Sequence, residues 1–143
     1  MIRTFQQIDT EPVMQIWLNG NIEAHGFVPQ TYWLSNYAAV RDQLMQAEIF
    51  VYTEEERICG FIGIIEGYIA GIFVDAEYRS KGIGGSLLQY AKTRYASLSL
   101  SVYQKNRRAV GFYFRQGFSV LSQGVDEDTN ETEYTMTWGE QNT

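Results

Sequence analysis

Between residues 71 and 88 the chain reads Gly-Ile-Phe-Val-Asp-Ala-Glu-Tyr-Arg-Ser-Lys-Gly-Ile-Gly-Gly-Ser-Leu-Leu. An apolar run from Ile69 to Val74 ends in a short polar turn, where Arg79 and Lys81 are set beside glycines. Ile83, Leu87, Leu88, Ala91 and Tyr95 then recur at helical spacing, with Gln89, Lys92 and Thr93 on the opposite side. Strand, basic glycine-rich turn and helix in that order constrain the chain more than any other feature. They offer free backbone N–H groups and the positive end of a helix to a phosphate. The expected ligand is the pyrophosphate of a nucleotide-containing cofactor.

The flanking segments supply the scaffold. Residues 2–8 alternate as a first strand, and Asp9 or Thr10 caps a helix that carries Pro12 in its first turn. His25-Gly-Phe-Val-Pro29 breaks that helix, and Tyr32, Trp33, Tyr37, Val40 and Leu44 mark a second one ending near Ala47. Strands at 49–52 and 58–65 form a hairpin around a charged turn, and Glu66-Gly67 links them to the strand 68–74. Gly71 inside that strand predicts a bulge or a ligand passing close to the backbone. The strand 98–103 follows the glycine-turn helix, so the pair is parallel and joined by a right-handed crossover. A short helix over 107–116 ends at Gly117, and strands 118–125 and 132–138 close the chain around the acidic loop 126–131. With no repeat or linker, residues 1–143 read as one mixed α/β domain.

Composition excludes several alternatives. A formal net charge of −6 argues against a nucleic-acid partner and mildly favours a cationic or amine substrate. The one cysteine, Cys59, excludes a disulfide framework or a Cys-based zinc site, and no metal is expected. The N-terminus lacks a signal-peptide core and no apolar run reaches membrane-spanning length, so a cytoplasmic protein with no membrane partner is expected. Monomer and dimer both stay open.

Three kinds of phosphate loop compete for the glycine turn. A Walker loop places Lys after its second glycine, whereas here Lys81 precedes Gly82. The dinucleotide fingerprint fails because its third glycine position is Leu87 and no acidic residue stands about 20 positions on. What remains is Arg-x-x-Gly-x-Gly, residues 79–84. Together with Asn106-Arg-Arg-Ala-Val-Gly-Phe-Tyr113 and the following Gly117-Phe118, it resembles the GNAT superfamily of N-acetyltransferases. The resemblance covers residues 50–138 well, and His25-Gly-Phe-Val-Pro with Tyr32-Trp33 is similar to a small bacterial subgroup, some of whose members acetylate protein lysines.

That resemblance implies a GNAT fold of the α/β (α+β) class. Its central sheet is mixed and mostly antiparallel, with splayed parallel strands at 68–74 and 98–103 and about four helices. It implies acetyl-CoA as cosubstrate, bound by Phe73, Val74, Arg79, Ser80, Lys81, Gly82, Ile83, Gly84, Asn106 and Tyr113. Amides of residues 80–84 would take the pyrophosphate, and Gly82 and Gly84 would let the backbone approach it. Arg79 and Lys81 would contact the pyrophosphate, the 3′-phosphate or solvent. Phe73 and Val74 would pair with the pantetheine arm as an added strand.

Acetyl transfer to an amine needs a deprotonated amine, a donor to the oxyanion and a proton for the departing thiolate. A backbone N–H near Phe73 or Val74 is the oxyanion donor candidate, and Tyr113, by its motif position, is the acid. Glu66 and His25 are the candidate bases; each has a plainer reading, as a solvated turn residue and a cleft-shaping residue. Asn106 reads as a CoA contact, a helix cap, or both. Asp75 caps the turn. Cys59 reads as a buried core thiol, so direct transfer through a ternary complex is expected. Trp17, Phe27, Tyr32 and Trp33 are core or acceptor-pocket aromatics, and the acceptor is a protein lysine, a protein N-terminus or a small amine. A non-catalytic acyl-CoA-binding regulatory domain is the competing reading.

Overall fold

The run Ile58–Ile64 is buried on both faces of the sheet it enters, which is why it is continuously apolar rather than alternating. It lies in β3 (Arg57–Ile65) of a computed structural model that describes residues 1–139. Residues 140–143, the end of the expected domain, lie outside the described residues. The other elements are β1 (Ile2–Thr4), α1 (Thr10–Ala24), α2 (Gln30–Leu44), β2 (Glu48–Glu54), β4 (Tyr68–Val74), α3 (Ile83–Lys92), β5 (Ser97–Tyr103), α4 (Arg107–Arg115), β6 (Ser119–Asp126) and β7 (Glu131–Gly139). The seven strands form one mixed sheet in the order β1-β2-β3-β4-β5-β7-β6. All pairings are antiparallel except β4 with β5.

Alternation along β2 and β3 sorts the core onto two faces. Ile49, Val51 and Phe61 meet Val13, Met14, Trp17, Trp33 and Leu44 from α1 and α2. Phe50, Ile62 and Ile64 meet Ile83, Leu87, Leu88 and Ala91 of α3 and Tyr113 of α4.

Two expected boundaries move. The first strand stops at Thr4 rather than residue 8, because Asp9 captures the chain. Its carboxylate accepts from the Gln6 N–H at 2.8 Å and from both terminal nitrogens of Arg3 at 2.7 and 2.9 Å, folding residues 7–9 into a 3-10 turn. Ile8, which completed the apparent alternation, is 83% exposed. Asp9 sits at the cap position of α1 but gives its side chain to this turn and to Arg3, not to the helix; the arginine holds its carboxyl below the usual range. Helix α2 ends at Leu44, three residues before Ala47, and unwinds through bonds from Gln46 to Gln43 and from Ala47 to Leu44.

The expected bulge is present, one residue before the glycine. Gly63 pairs with Gly71, but Ile64 pairs with Ile69, leaving Ala70 as the extra residue of β4. Strands β4 and β5 pair at Tyr68 and Ser99, where the Ser99 N–H donates to the Gly67 carbonyl at 3.0 Å. No further register joins them, so the sheet opens into a wedge between their C-terminal halves.

Candidate active site

Asp75 decides which backbone groups face the wedge. Its N–H donates to the Cys59 carbonyl at 2.8 Å, so 59 with 75 and 61 with 73 are the hydrogen-bonded pairs of the β3–β4 ladder. Phe73 therefore turns its N–H and C=O to β3. The N–H groups of Ile72 and Val74 point into the wedge. Of the two donors expected from sequence, only Val74 has the required direction, and Ile72 joins it. Phe73 contributes through its ring, which lies 5.8 Å from Phe61 and so close to Gly20 that a Cβ there would come within 2.7 Å of it.

Past Val74, the Asp75 side chain caps a 3-10 turn by accepting from Glu77 N–H at 3.0 Å. The chain then takes left-handed backbone at Ser80 (φ 65°) and Gly82 (φ 79°) before α3 begins. The first α3 hydrogen bond runs from Ser86 N–H to Gly82 C=O. The N–H groups of Ile83, Gly84 and Gly85 thus have no acceptor within the helix. A Cβ on Gly82 would meet nothing within 4 Å, so this glycine serves the backbone angle and leaves open space beside it. Gly84 has a different task, lying 3.4 Å (from its virtual Cβ) from Phe112 and 3.7 Å from Val74. Lys81 is exposed and its ammonium lies 5.2 Å from the centre of the Tyr78 ring. Arg79 forms an ion pair with Glu23 of α1, an alternative partner that sequence did not suggest across 56 positions.

Tyr113 is positioned by the end of its own helix. Gly117 (φ 90°) donates to Phe114 C=O and Phe118 to Tyr113 C=O, both at 3.0 Å. This is a Schellman closure, and Phe118 completes it with a ring 5.8 Å from that of Tyr113. Tyr113 is 9% exposed. Burial, with a smaller contribution from Tyr68, pushes its phenol above the ordinary tyrosine range, so it stays protonated and able to donate.

His25 caps the C-terminus of α1 and is 8% exposed. Its ring centre lies 5.1 to 5.6 Å from those of Tyr103, Trp33 and Phe27, and its Nε2 is 3.1 Å from Asn106 Nδ2. Asn106 also caps α4, its Oδ1 accepting from Ala109 N–H at 3.3 Å. Burial depresses the His25 pKa from 6.5 to about 4. An unfolded chain therefore takes up this proton from pH 6.5 downward while the folded chain resists until about pH 4, so stability falls with pH through that window. The nearby ionisable groups are the Tyr103 phenol and, behind it, Asp126. Urea unfolding at pH 7 and pH 4.5 is expected to show a loss of about 2 kcal/mol from His25 in the wild type, and clearly less in His25→Phe.

Glu66 occupies the left-handed β3–β4 turn (φ 50°) and is exposed, at the end of β4 away from α3, about 20 Å along the strand from Val74. No contact among the described residues joins Glu66, His25 and Tyr113. Cys59 is fully buried, and burial raises its thiol. Trp17 and Trp33 are core, their rings edge-on at 6.2 Å. Tyr32 lines a depression of about 480 Å³ with Val28, Pro29, Thr31, Asp128 and Thr129. Burial and the carboxylates of Asp126, Asp128 and Glu133 raise its phenol, and Tyr103 donates to Asp126 at 2.7 Å. The acidic β6–β7 turn thus lies against the α1–α2 connection.

The sequence profile of the acetyltransferase (GNAT) domain matches residues 45–120, which hold the free strand edge, the glycine turn and Tyr113. The chain belongs to the GNAT acetyltransferases. It is 34% identical over 140 residues to the peptidyl-lysine N-acetyltransferase YiaC of Escherichia coli K12, covering 96% of each chain. The Salmonella typhimurium peptidyl-lysine N-acetyltransferase YjaB is 29% identical over 128 residues, 89% of this chain and 88% of that one. In structure, apo YjaB of E. coli aligns with a TM-score of 0.85 at 26% identity over 98% of both chains. The PaiA N-acetyltransferase of Thermoplasma acidophilum, solved with coenzyme A, shares the fold at a TM-score of 0.79, 21% identity and 98% coverage of both. The activity of this GNAT chain is acetyl-CoA-dependent N-acetyl transfer. Among the described residues no group of three or more His, Cys, Asp or Glu could hold a metal, and no helix is long and apolar enough to cross a membrane.

Proposed function

We propose that the acceptor is the ε-amine of a protein lysine, and that residues 1–143 act as one domain in the cytoplasm without a nucleic-acid partner. The supporting observation is the depression at Tyr32, which Asp128 lines and which Asp126 and Glu133 lie near. All three carboxylates act on the Tyr32 phenol, and Asp126 accepts from Tyr103, a negative field that suits a cationic side chain on an exposed protein segment. The curated relatives named peptidyl-lysine N-acetyltransferases support the same acceptor.

Bound acetyl-CoA supplies an activated acetyl thioester. The N–H groups of Ile83, Gly84 and Gly85 bind its pyrophosphate at the positive end of α3, with Lys81 adding charge. From there Val74 offers its N–H to the pantetheine arm. Ile72, one step further from α3, offers its N–H to the developing oxyanion. Tyr113 gives its proton to the departing sulfur. Glu66, exposed in the turn that precedes β4, takes the proton from the amine through a chain of waters. Acetyl passes directly to the amine because Cys59 is sealed in the core.

The test is CoA release measured with lysine peptides, N-terminally free peptides without lysine, and small polyamines. Lysine peptides are expected to turn over at least tenfold faster than the other two classes. Equal or preferred use of polyamines would overturn the acceptor assignment and leave the acetyltransferase identity intact.

A further inference from the structure

His25 sits in an enclosed aromatic setting. Its ring is enclosed by Phe27, Trp33 and Tyr103, contributed by the α1–α2 connection, α2 and β5. Its backbone is fixed as the α1 cap by a 3.0 Å bond to Asn21 C=O, and Asn21 is itself pinned, donating its side-chain amide to Trp17 C=O at 2.9 Å. The neighbour that matters is Asn106, whose N–H donates to Tyr103 C=O at 3.0 Å. Because the Asn106 oxygen accepts from Ala109, its NH₂ must be the end facing His25. An NH₂ only donates. His25 Nε2 therefore accepts, and the ring proton resides on Nδ1, with the Asn21 backbone carbonyl as the neighbouring acceptor.

We infer that His25 is a positioning residue that fixes the Asn106 amide through an Nε2 acceptor and does not act as the catalytic base. The cap bond alone anchors only the Asn106 oxygen; the imidazole anchors the nitrogen. One N–H and one oxygen lone pair of the amide stay free for a ligand, held in one plane from both ends. This inference rests on the reading that Asn106 contacts acetyl-CoA. It assigns His25 an effect on donor binding rather than on the chemical step.

The experiment compares steady-state kinetics of wild type, His25→Phe, His25→Met, His25→Gln, Asn106→Ala and the His25→Phe/Asn106→Ala double variant, each checked for folding by thermal melting. The two apolar variants remove the acceptor, whereas glutamine can present its amide oxygen to Asn106. Apolar replacement is expected to raise KM for acetyl-CoA about tenfold with kcat within about threefold of wild type, the signature of one lost orienting bond. Glutamine is expected to restore most of the loss. The double variant should be no worse than Asn106→Ala alone, because both act through one amide. A fall in kcat at unchanged KM would return His25 to the chemistry and overturn the inference, as would additive losses or failure of glutamine to rescue. If Asn106→Ala raises KM and neither apolar variant does, this inference alone fails. If Asn106→Ala leaves KM unchanged, the Asn106 contact fails and the inference falls with it.

Discussion

Replacing Tyr113 by phenylalanine is expected to lower kcat by about 10² to 10⁴-fold, the usual range for loss of a positioned proton donor, with KM for acetyl-CoA nearly unchanged. The shape of the side chain is retained, so the rings of Phe112 and Phe118 keep their contacts with it. The phenol has no protein hydrogen bond among the described residues, so its removal leaves no partner stranded, and melting temperature should hold or rise slightly. Burial raises the phenol above the ordinary tyrosine range of about 10. Rates should therefore show no alkaline fall attributable to Tyr113 below about pH 10. A Tyr113→Phe enzyme with near wild-type kcat would mean that water or another group protonates the thiolate.

The second large effect is at the start of α3. Gly82→Glu is expected to weaken acetyl-CoA binding by about 100-fold or more. A non-glycine residue at φ 79° costs about 1–2 kcal/mol, and a carboxylate at the mouth of the helix opposes a pyrophosphate through the same field that attracts it. Gly82→Ala separates the two contributions: it carries the strain without the charge and should cost about tenfold. Gly124→Glu, on the exposed strand β6, is the control and should leave binding unchanged. Isothermal titration with acetyl-CoA reads all three.

Features set by local interactions are legible in the sequence, and those set by distant ones are not. The strand, the turn at 79–82 and helix α3 were legible because their signals are local: an apolar run, a left-handed glycine and helical periodicity. Gly117 ending α4 belongs to the same class. The strand expected over 2–8 failed because alternation cannot register one carboxylate, Asp9, taking Arg3 and the Gln6 N–H together. For the oxyanion donor the difficulty was a single step of register. Only the pairing of Cys59 with Asp75 shows that Ile72 and Val74, rather than Phe73, face the wedge. His25 drew attention as a base because its ordinary pKa suits proton transfer, yet three rings from separate elements bury it, and Asn106 lies 81 positions away. The Glu23–Arg79 pair had no local signal at all.

The most direct measurement of the central claim is mass spectrometry of a lysine-containing protein or peptide after incubation with acetyl-CoA and enzyme. The arrangement of Ile72, Val74, Gly82 and Tyr113 predicts one acetyl group on lysine ε-nitrogen, accumulating in step with free CoA, abolished by Gly82→Glu at limiting acetyl-CoA and strongly slowed by Tyr113→Phe. Acetylation appearing on Cys59 as a competent intermediate, or lysine acetylation at the same rate in both variants as in wild type, would contradict it.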